Sequence, residues 1–115
     1  MTVSELAKLI DARFETGDAG MEREVASGYV CDLLSWVMSH GVAGTAWVTV
    51  QTHLNVVAVA TLLDLACVIV PEGIGVPGAT AEKAVEEEVA VLTTNKTAYE
   101  IAVLMASQGI PPTSK

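Results

Sequence analysis

Four times along this chain a short β-prone run gives way, across a polar residue or two, to an apolar run with helical spacing. Residues 24–30 lead into 32–39, 45–50 into 53–64, 67–70 into 81–88 through a glycine-bearing loop, and 89–92 into 97–108. No other feature constrains the fold as strongly. Parallel strands cannot be joined by tight hairpins and are usually connected by helical crossovers. Repeated β-then-α units therefore predict an α/β domain: a mostly parallel sheet of about four to five strands with helices on its faces. The segments 53–64 and 67–70 are apolar almost all round, as interior elements of a covered parallel sheet are. Strand order is not legible in such a pattern.

Ahead of these units, Val3, Leu6, Leu9 and Ile10 have helical spacing, and Thr2 stands three residues before Glu5 as a capping box. This first helix is expected to end near Thr16 and Gly17. The division is then a helix and linker over 1–20, an α/β core over 24–109 and a tail over 110–115, one domain in a chain of 115 residues. Asp32, Thr52, Thr80 and Thr97 are candidate N-caps, with Thr97 and Glu100 a second capping box, and Gly41 and Gly109 stand where helix C-terminal glycines belong.

The formal charge of -8, from 14 acidic against 6 basic residues, opposes capture of nucleic acid or an anionic membrane surface, which needs clustered cations. The apolar stretch 54–70 carries Asn55 and Asp64, which argue against a membrane span. The start shows no basic stretch followed by an apolar one, so a cytoplasmic location is expected. Cys31 and Cys67 have no C-x-x-C spacing and no histidine at ligand spacing, which predicts reduced thiols and no metal. With 51% hydrophobic but only 4% aromatic residues, Val, Ala and Leu must fill the interior. The surplus predicts a partner surface, most simply a homodimer.

Gly73, Gly75 and Gly78 match G-x-G-x-x-G and also the opening of a P-loop. A dinucleotide fold needs the glycines directly after a strand, free N–H groups facing the pyrophosphate and an acid at the end of the next strand. Here Pro71 and Glu72 intervene, Pro77 lacks an N–H, and the following strand ends in Thr93, Thr94 and Asn95. A P-loop needs Lys and then Ser or Thr after its last glycine, and Gly78 is followed by Ala79 and Thr80. The loop is expected to be a structural turn, with no kinase or NTPase chemistry and no cofactor.

In an open α/β sheet the ligand crevice lies outside the carboxyl ends of the strands. Those ends would gather Asp32 after the first strand and Gln51, Thr52, His53 and Asn55 after the second. Glu72 and Gly73 follow the third, and Thr93, Thr94 and Asn95 the fourth. One reading is a pocket for a small polar or nucleotide-like ligand, with Thr52, His53 and Asn55 foremost; the other is that these are caps and solvated turn residues. A Ser35, His53, Asp32 triad fails because Asp32 and Ser35 share one helical turn and no G-x-S-x-G elbow exists, so no catalytic residue is assigned. Trp36, Trp47, Leu104 and Met105 are expected in the core or at a dimer surface.

The block 31–38, beginning Cys-Asp-Leu-Leu, the block 47–60 with Gln51, Thr52, His53 and Asn55, the Pro77 loop with Ala84, and 89–94 before 97–102 together resemble a stand-alone DRTGG-domain protein. The resemblance covers about 24–109, and the chain has no literal Asp-Arg-Thr-Gly-Gly string. It implies a fold similar to the N-terminal domain of HPr kinase/phosphorylase and to the domain beside CBS modules in regulatory pyrophosphatases. The function it implies is a regulatory, ligand-sensing or dimerising module without catalysis. It also implies an alternative, an accessory subunit of a redox or metabolic complex such as a hydrogenase-associated one.

Overall fold

A computed structural model of the chain describes residues 1–113, so the last two residues of the expected tail lie outside the described residues. The element order is α1 (Val3–Leu9), β1 (Arg13–Phe14), β2 (Ser27–Val30), α2 (Leu34–His40), β3 (Thr45–Val48), α3 (Leu54–Leu63), β4 (Cys67–Val70), α4 (Gly78–Glu86), β5 (Ala90–Thr93) and α5 (Ala98–Ser107). The strands form one sheet in the order β1-β5-β4-β3-β2. All neighbours are parallel except β1, which pairs antiparallel with β5 through Arg13 opposite Thr93 and Phe14 opposite Leu92.

A parallel sheet that advances one strand at a time by right-handed crossovers places every connecting helix on the same face. The two halves of the core follow that rule. On one face Val37 of α2, Val56, Val57 and Ala60 of α3, and Ala84 of α4 pack on Trp47, Val68, Val70 and Val91. On the other, Val3, Leu6 and Ala7 of α1 and Ile101 and Met105 of α5 pack on Ala46, Val48, Cys67, Ile69, Ala90 and Leu92. Alternate residues of each strand thus feed opposite layers, which is the period-2 geometry of a strand buried on both sides. Burial pushes the Cys67 thiol up to about 12, so it stays neutral and acts as a small apolar side chain. Both cysteines are free thiols.

Both expected capping boxes form, Thr2 with Glu5 and Thr97 with Glu100. Other end signals resolve differently. The first helix stops at Leu9, well short of Thr16, because Asp11 adopts a left-handed backbone (φ 53°). Ala12 N–H then donates to the Ala7 carbonyl at 2.8 Å and Asp11 N–H to that of Lys8 at 3.3 Å, the paired bonds of a Schellman stop. Freed from the helix, Arg13 and Phe14 become the edge strand β1. Asp64 (φ 56°) and Glu88 (φ 58°) end α3 and α4 in the same way, so acidic residues do at three helix ends what glycine does after α5 at Gly109. Aspartate tolerates this conformation through its short polar side chain; glutamate has no such compensation. Glu88→Gly is therefore expected to stabilise the domain by up to about 1 kcal/mol, read as a melting temperature a few degrees higher. A fall would contradict that account.

Asp32, Thr52 and Thr80 do not cap. The cap of α2 is Leu33 with no side-chain bond, that of α3 is His53, and that of α4 is Pro77, which places Thr80 inside α4, buried. The segment after α5 runs along the outer edge of β2: Gly28 N–H donates to the Pro111 carbonyl and Thr113 N–H to the Gly28 carbonyl, each at 2.9 Å. Among the described residues no helix is long and apolar enough to cross a membrane.

Candidate functional site

The sheet's one change of direction decides where a crevice can open. Chains leaving β2, β3 and β4 all enter helices on the first face, whereas the chain leaving β5 enters α5 on the opposite face. Between β4 and β5 the outgoing loops therefore part to opposite sides of the sheet, which is the topological switch point at which open α/β sheets bind ligands. A cavity of about 310 Å³ opens there. One wall is the glycine loop, Gly73, Ile74, Gly75 and Val76; the floor is Thr93, Thr94 and Asn95 at the end of β5; the far wall is Asp11 from the turn into β1, Arg13 of β1 and Glu15 just after it.

Local bonds shape each wall. Gly73 (φ 68°) sits so close to Asn95 that a Cβ there would lie 2.8 Å from Asn95 Oδ1, so the loop can close over the β5 end only with glycine at this position. Gly73 N–H donates to the Thr94 carbonyl and Glu72 N–H to the Lys96 carbonyl, both at 2.9 Å, and Ile74 N–H points to the Pro71 carbonyl at 3.3 Å. These amides hold the loop and are not free to cradle an anion. Buried Thr94 donates through Oγ1 to the Ile10 carbonyl at 2.8 Å and accepts from Lys96 N–H at 3.2 Å. It thereby pins the end of α1 to the end of β5.

On the far wall Glu15 Oε2 accepts from Arg13 Nε at 2.9 Å and from Thr93 Oγ1 at 2.8 Å. The Arg13 guanidinium, then the Thr93 hydroxyl, hold the Glu15 carboxyl below its usual range, and Arg13 is raised in turn. A depressed carboxylate contributes stability that is fully present above its ordinary value of about 4.3 and is lost as the pH falls through the lowered folded value. Wild type and Glu15→Gln should accordingly differ in melting temperature near neutrality and converge on the acid side. Parallel curves over that range would count against the Arg13–Glu15–Thr93 chain.

Of the residues the sequence nominated, Gly73, Thr93, Thr94 and Asn95 line this cavity; Asp32, Gln51, Thr52, His53, Asn55 and Glu72 do not. The β2 and β3 ends lie where both outgoing chains turn to the same face, and several of their groups are bonded locally. Thr49 Oγ1 and Val50 N–H each donate to Asp32 Oδ1 at 2.9 Å, and Gln51 Nε2 donates to the Asp32 carbonyl at 3.1 Å. Asn55 N–H donates to His53 Nδ1 at 3.1 Å, and Thr80 Oγ1 to the Thr52 carbonyl at 2.7 Å. Asp11, Arg13 and Glu15 escaped sequence reasoning because they fall in a segment read as helix. The signal that could have found them is Asp11 as a non-glycine helix stop. Among the described residues no group of three His, Cys, Asp or Glu side chains could hold a metal ion.

Neither a known family profile nor a curated protein matches the chain. Among solved structures, 96% of the chain superposes on the CBS and DRTGG domains of the regulatory region of a Clostridium perfringens pyrophosphatase, with a TM-score of 0.70 and 13% identity. The fold is DRTGG-like. That regulatory region was solved in complex with its activator, diadenosine tetraphosphate, and the present chain spans 47% of its length. At such low identity the likeness concerns architecture: a DRTGG-like α/β sheet whose switch point, in this chain, is a cavity walled by a glycine loop and a three-residue charged rim.

Proposed function

We propose that the chain is a non-catalytic DRTGG-type regulatory domain, in the manner of the HPr kinase N-terminal domain, that senses a small polar or nucleotide-like ligand in the switch-point cavity. The observation that carries this reading is the cavity itself, at the one edge position where the topology opens a crevice. It mixes polar rim groups with the apolar side chains of Ile74 and Val76, the usual make-up of a small-molecule site. The structural neighbour, a regulatory region in complex with a nucleotide activator, supports the ligand class. Asp32, Gln51, Thr52, His53 and Asn55 are then turn and cap residues, and Glu72 positions the loop. The absent P-loop lysine supports a sensor over a kinase, and the two free thiols suit the cytoplasm.

A thermal-shift screen over adenine and guanine nucleotides and dinucleotides tests it, because a ligand of the native state stabilises by about 2.7 kcal/mol at a hundredfold excess over Kd. At roughly 4–8 °C per kcal/mol for a small domain, a true ligand should move the midpoint by about 10–20 °C. A flat screen would remove the ligand reading.

A second reading is favoured by α2. Its exposed side carries Leu33 at 62%, Trp36 at 51% and Met38 at 40% exposure, with no Asp, Glu, Lys or Arg from 33 to 40. Trp36 and His40 stack with ring centroids 4.2 Å apart, which holds the indole on the surface. Such a face suits a homodimer contact or an accessory-subunit contact with another protein. Light scattering at tens of micromolar gives a dimer on the first and a monomer on the second, where a pull-down should return one stoichiometric partner.

A further inference from the structure

We infer that the switch-point cavity takes a single nucleoside unit carrying at most one phosphate and rejects nucleoside polyphosphates and dinucleotides. This rests on the proposed reading of the cavity as the ligand site and narrows it. Three observations converge.

The first is size. A volume of about 310 Å³ lies at the bottom of the range of about 300–1,000 Å³ for small-molecule pockets, room for one base and sugar but not for two.

The second is charge. The rim carries two carboxylates, Asp11 and Glu15, against one guanidinium, Arg13. Glu15 already engages Arg13 through Nε, which leaves the two terminal guanidinium nitrogens as the cationic surface for one anionic group. Asp11 has no cation within ion-pair distance among the described residues. Every phosphate after the first would meet carboxylate without a matching charge, in a chain of net charge -8.

The third is the glycine loop. Polyphosphate sites in α/β folds are built from runs of free backbone N–H groups; here the amides of Glu72, Gly73 and Ile74 are consumed by the carbonyls of Lys96, Thr94 and Pro71, and only those of Gly75 and Val76 are left before Pro77, which has none. The loop offers apolar side chains instead. Ile74 and Val76 suit the face of a base, and the Asn95 amide beside them carries the paired donor and acceptor that match an adenine edge. Asp11 supplies the carboxylate that a ribose hydroxyl requires. The acid missing from the end of β5 is thus contributed by the turn into β1.

Isothermal titration of the full chain with adenosine, adenosine monophosphate, adenosine triphosphate and diadenosine tetraphosphate, without divalent cations, tests the assignment. Adenosine and the monophosphate are expected to bind, with the two polyphosphates about tenfold weaker or worse. Asn95→Ala should weaken both adenosine and the monophosphate; Arg13→Ala should bring the monophosphate down to the affinity of adenosine and leave adenosine unchanged. Tighter binding of either polyphosphate would overturn the single-nucleoside inference and leave the ligand-sensing reading standing. Binding that neither variant alters would overturn the residue assignment. No binding by any of the four overturns the inference; if guanine nucleotides also fail to shift the melting midpoint, the ligand-sensing reading falls with it.

Discussion

Trp47→Ala is expected to remove a large part of the domain's stability. Trp47 is fully buried at the centre of β3 and is the largest side chain in the core, in a protein with only 4% aromatic residues to fill it. It packs in the layer with Val37, Val57, Val68 and Val91, and its Nε1 donates to the Cys31 carbonyl at 2.8 Å, tying the exit of β2 to β3. Truncating a buried Trp to Ala costs about 3–5 kcal/mol, against a total of about 5–15 kcal/mol for a typical domain. Valines and alanines around the hole are too short and stiff to close it. Trp47→Phe keeps most of the volume and loses the indole N–H, so it should cost less than half as much. Urea denaturation followed by circular dichroism measures both; a Trp47→Ala loss under about 1 kcal/mol would contradict the two-layer core described above.

Gly73→Val is the second large effect, and it acts on function more than on stability. The left-handed backbone at Gly73 is a strained one for a β-branched residue, at a cost of about 1–3 kcal/mol. The added Cβ would also stand 2.8 Å from Asn95 Oδ1. Relief requires the loop to lift or Asn95 to swing away, and either change opens the wall between Ile74 and the end of β5. A variant with a lower but cooperative melting transition and a loss of ligand affinity of tenfold or more is expected. Gly75→Val is the control for folding alone, since Gly75 also lines the cavity but a Cβ there meets nothing within 4 Å; its melting transition should match wild type. Equal ligand affinity in Gly73→Val and wild type would remove the loop from the site.

The fold was legible in the sequence because its cause is periodic. The apolar all-round segments α3 and β4 can be stable only inside covered layers, and the Thr97–Glu100 capping box set the start of α5 from four residues alone. The missed β1 strand has a different cause: Arg13 and Phe14 carry no strand pattern of their own, and they pair with β5 only because Asp11 breaks the helix in a left-handed turn. The Asp11, Arg13 and Glu15 wall of the cavity was missed for the same reason. Thr93, Thr94 and Asn95 could be named from the end of a strand. Which strand ends face a crevice depends on where consecutive crossovers change face, and that is a property of strand order. Thr52, His53 and Asn55 have the right residue types at the end of β3, whose outgoing chain turns to the same face as those of its neighbours β2 and β4. Conversely, the glycine loop failed the phosphate-binding tests in the sequence and still walls the cavity, presenting Ile74 and Val76 to it while the amides of Glu72, Gly73 and Ile74 hold the loop in place.

The most direct test of the switch-point assignment is a titration of the isotopically labelled chain with adenosine monophosphate, followed by amide chemical shifts. The account predicts that the perturbed amides cluster at Asp11, Arg13 and Glu15, along Gly73 to Val76, and at Thr93 to Asn95, while Gln51 to Asn55 stay unmoved. Perturbations centred on Thr52 and His53, with the β4 and β5 ends silent, would contradict it.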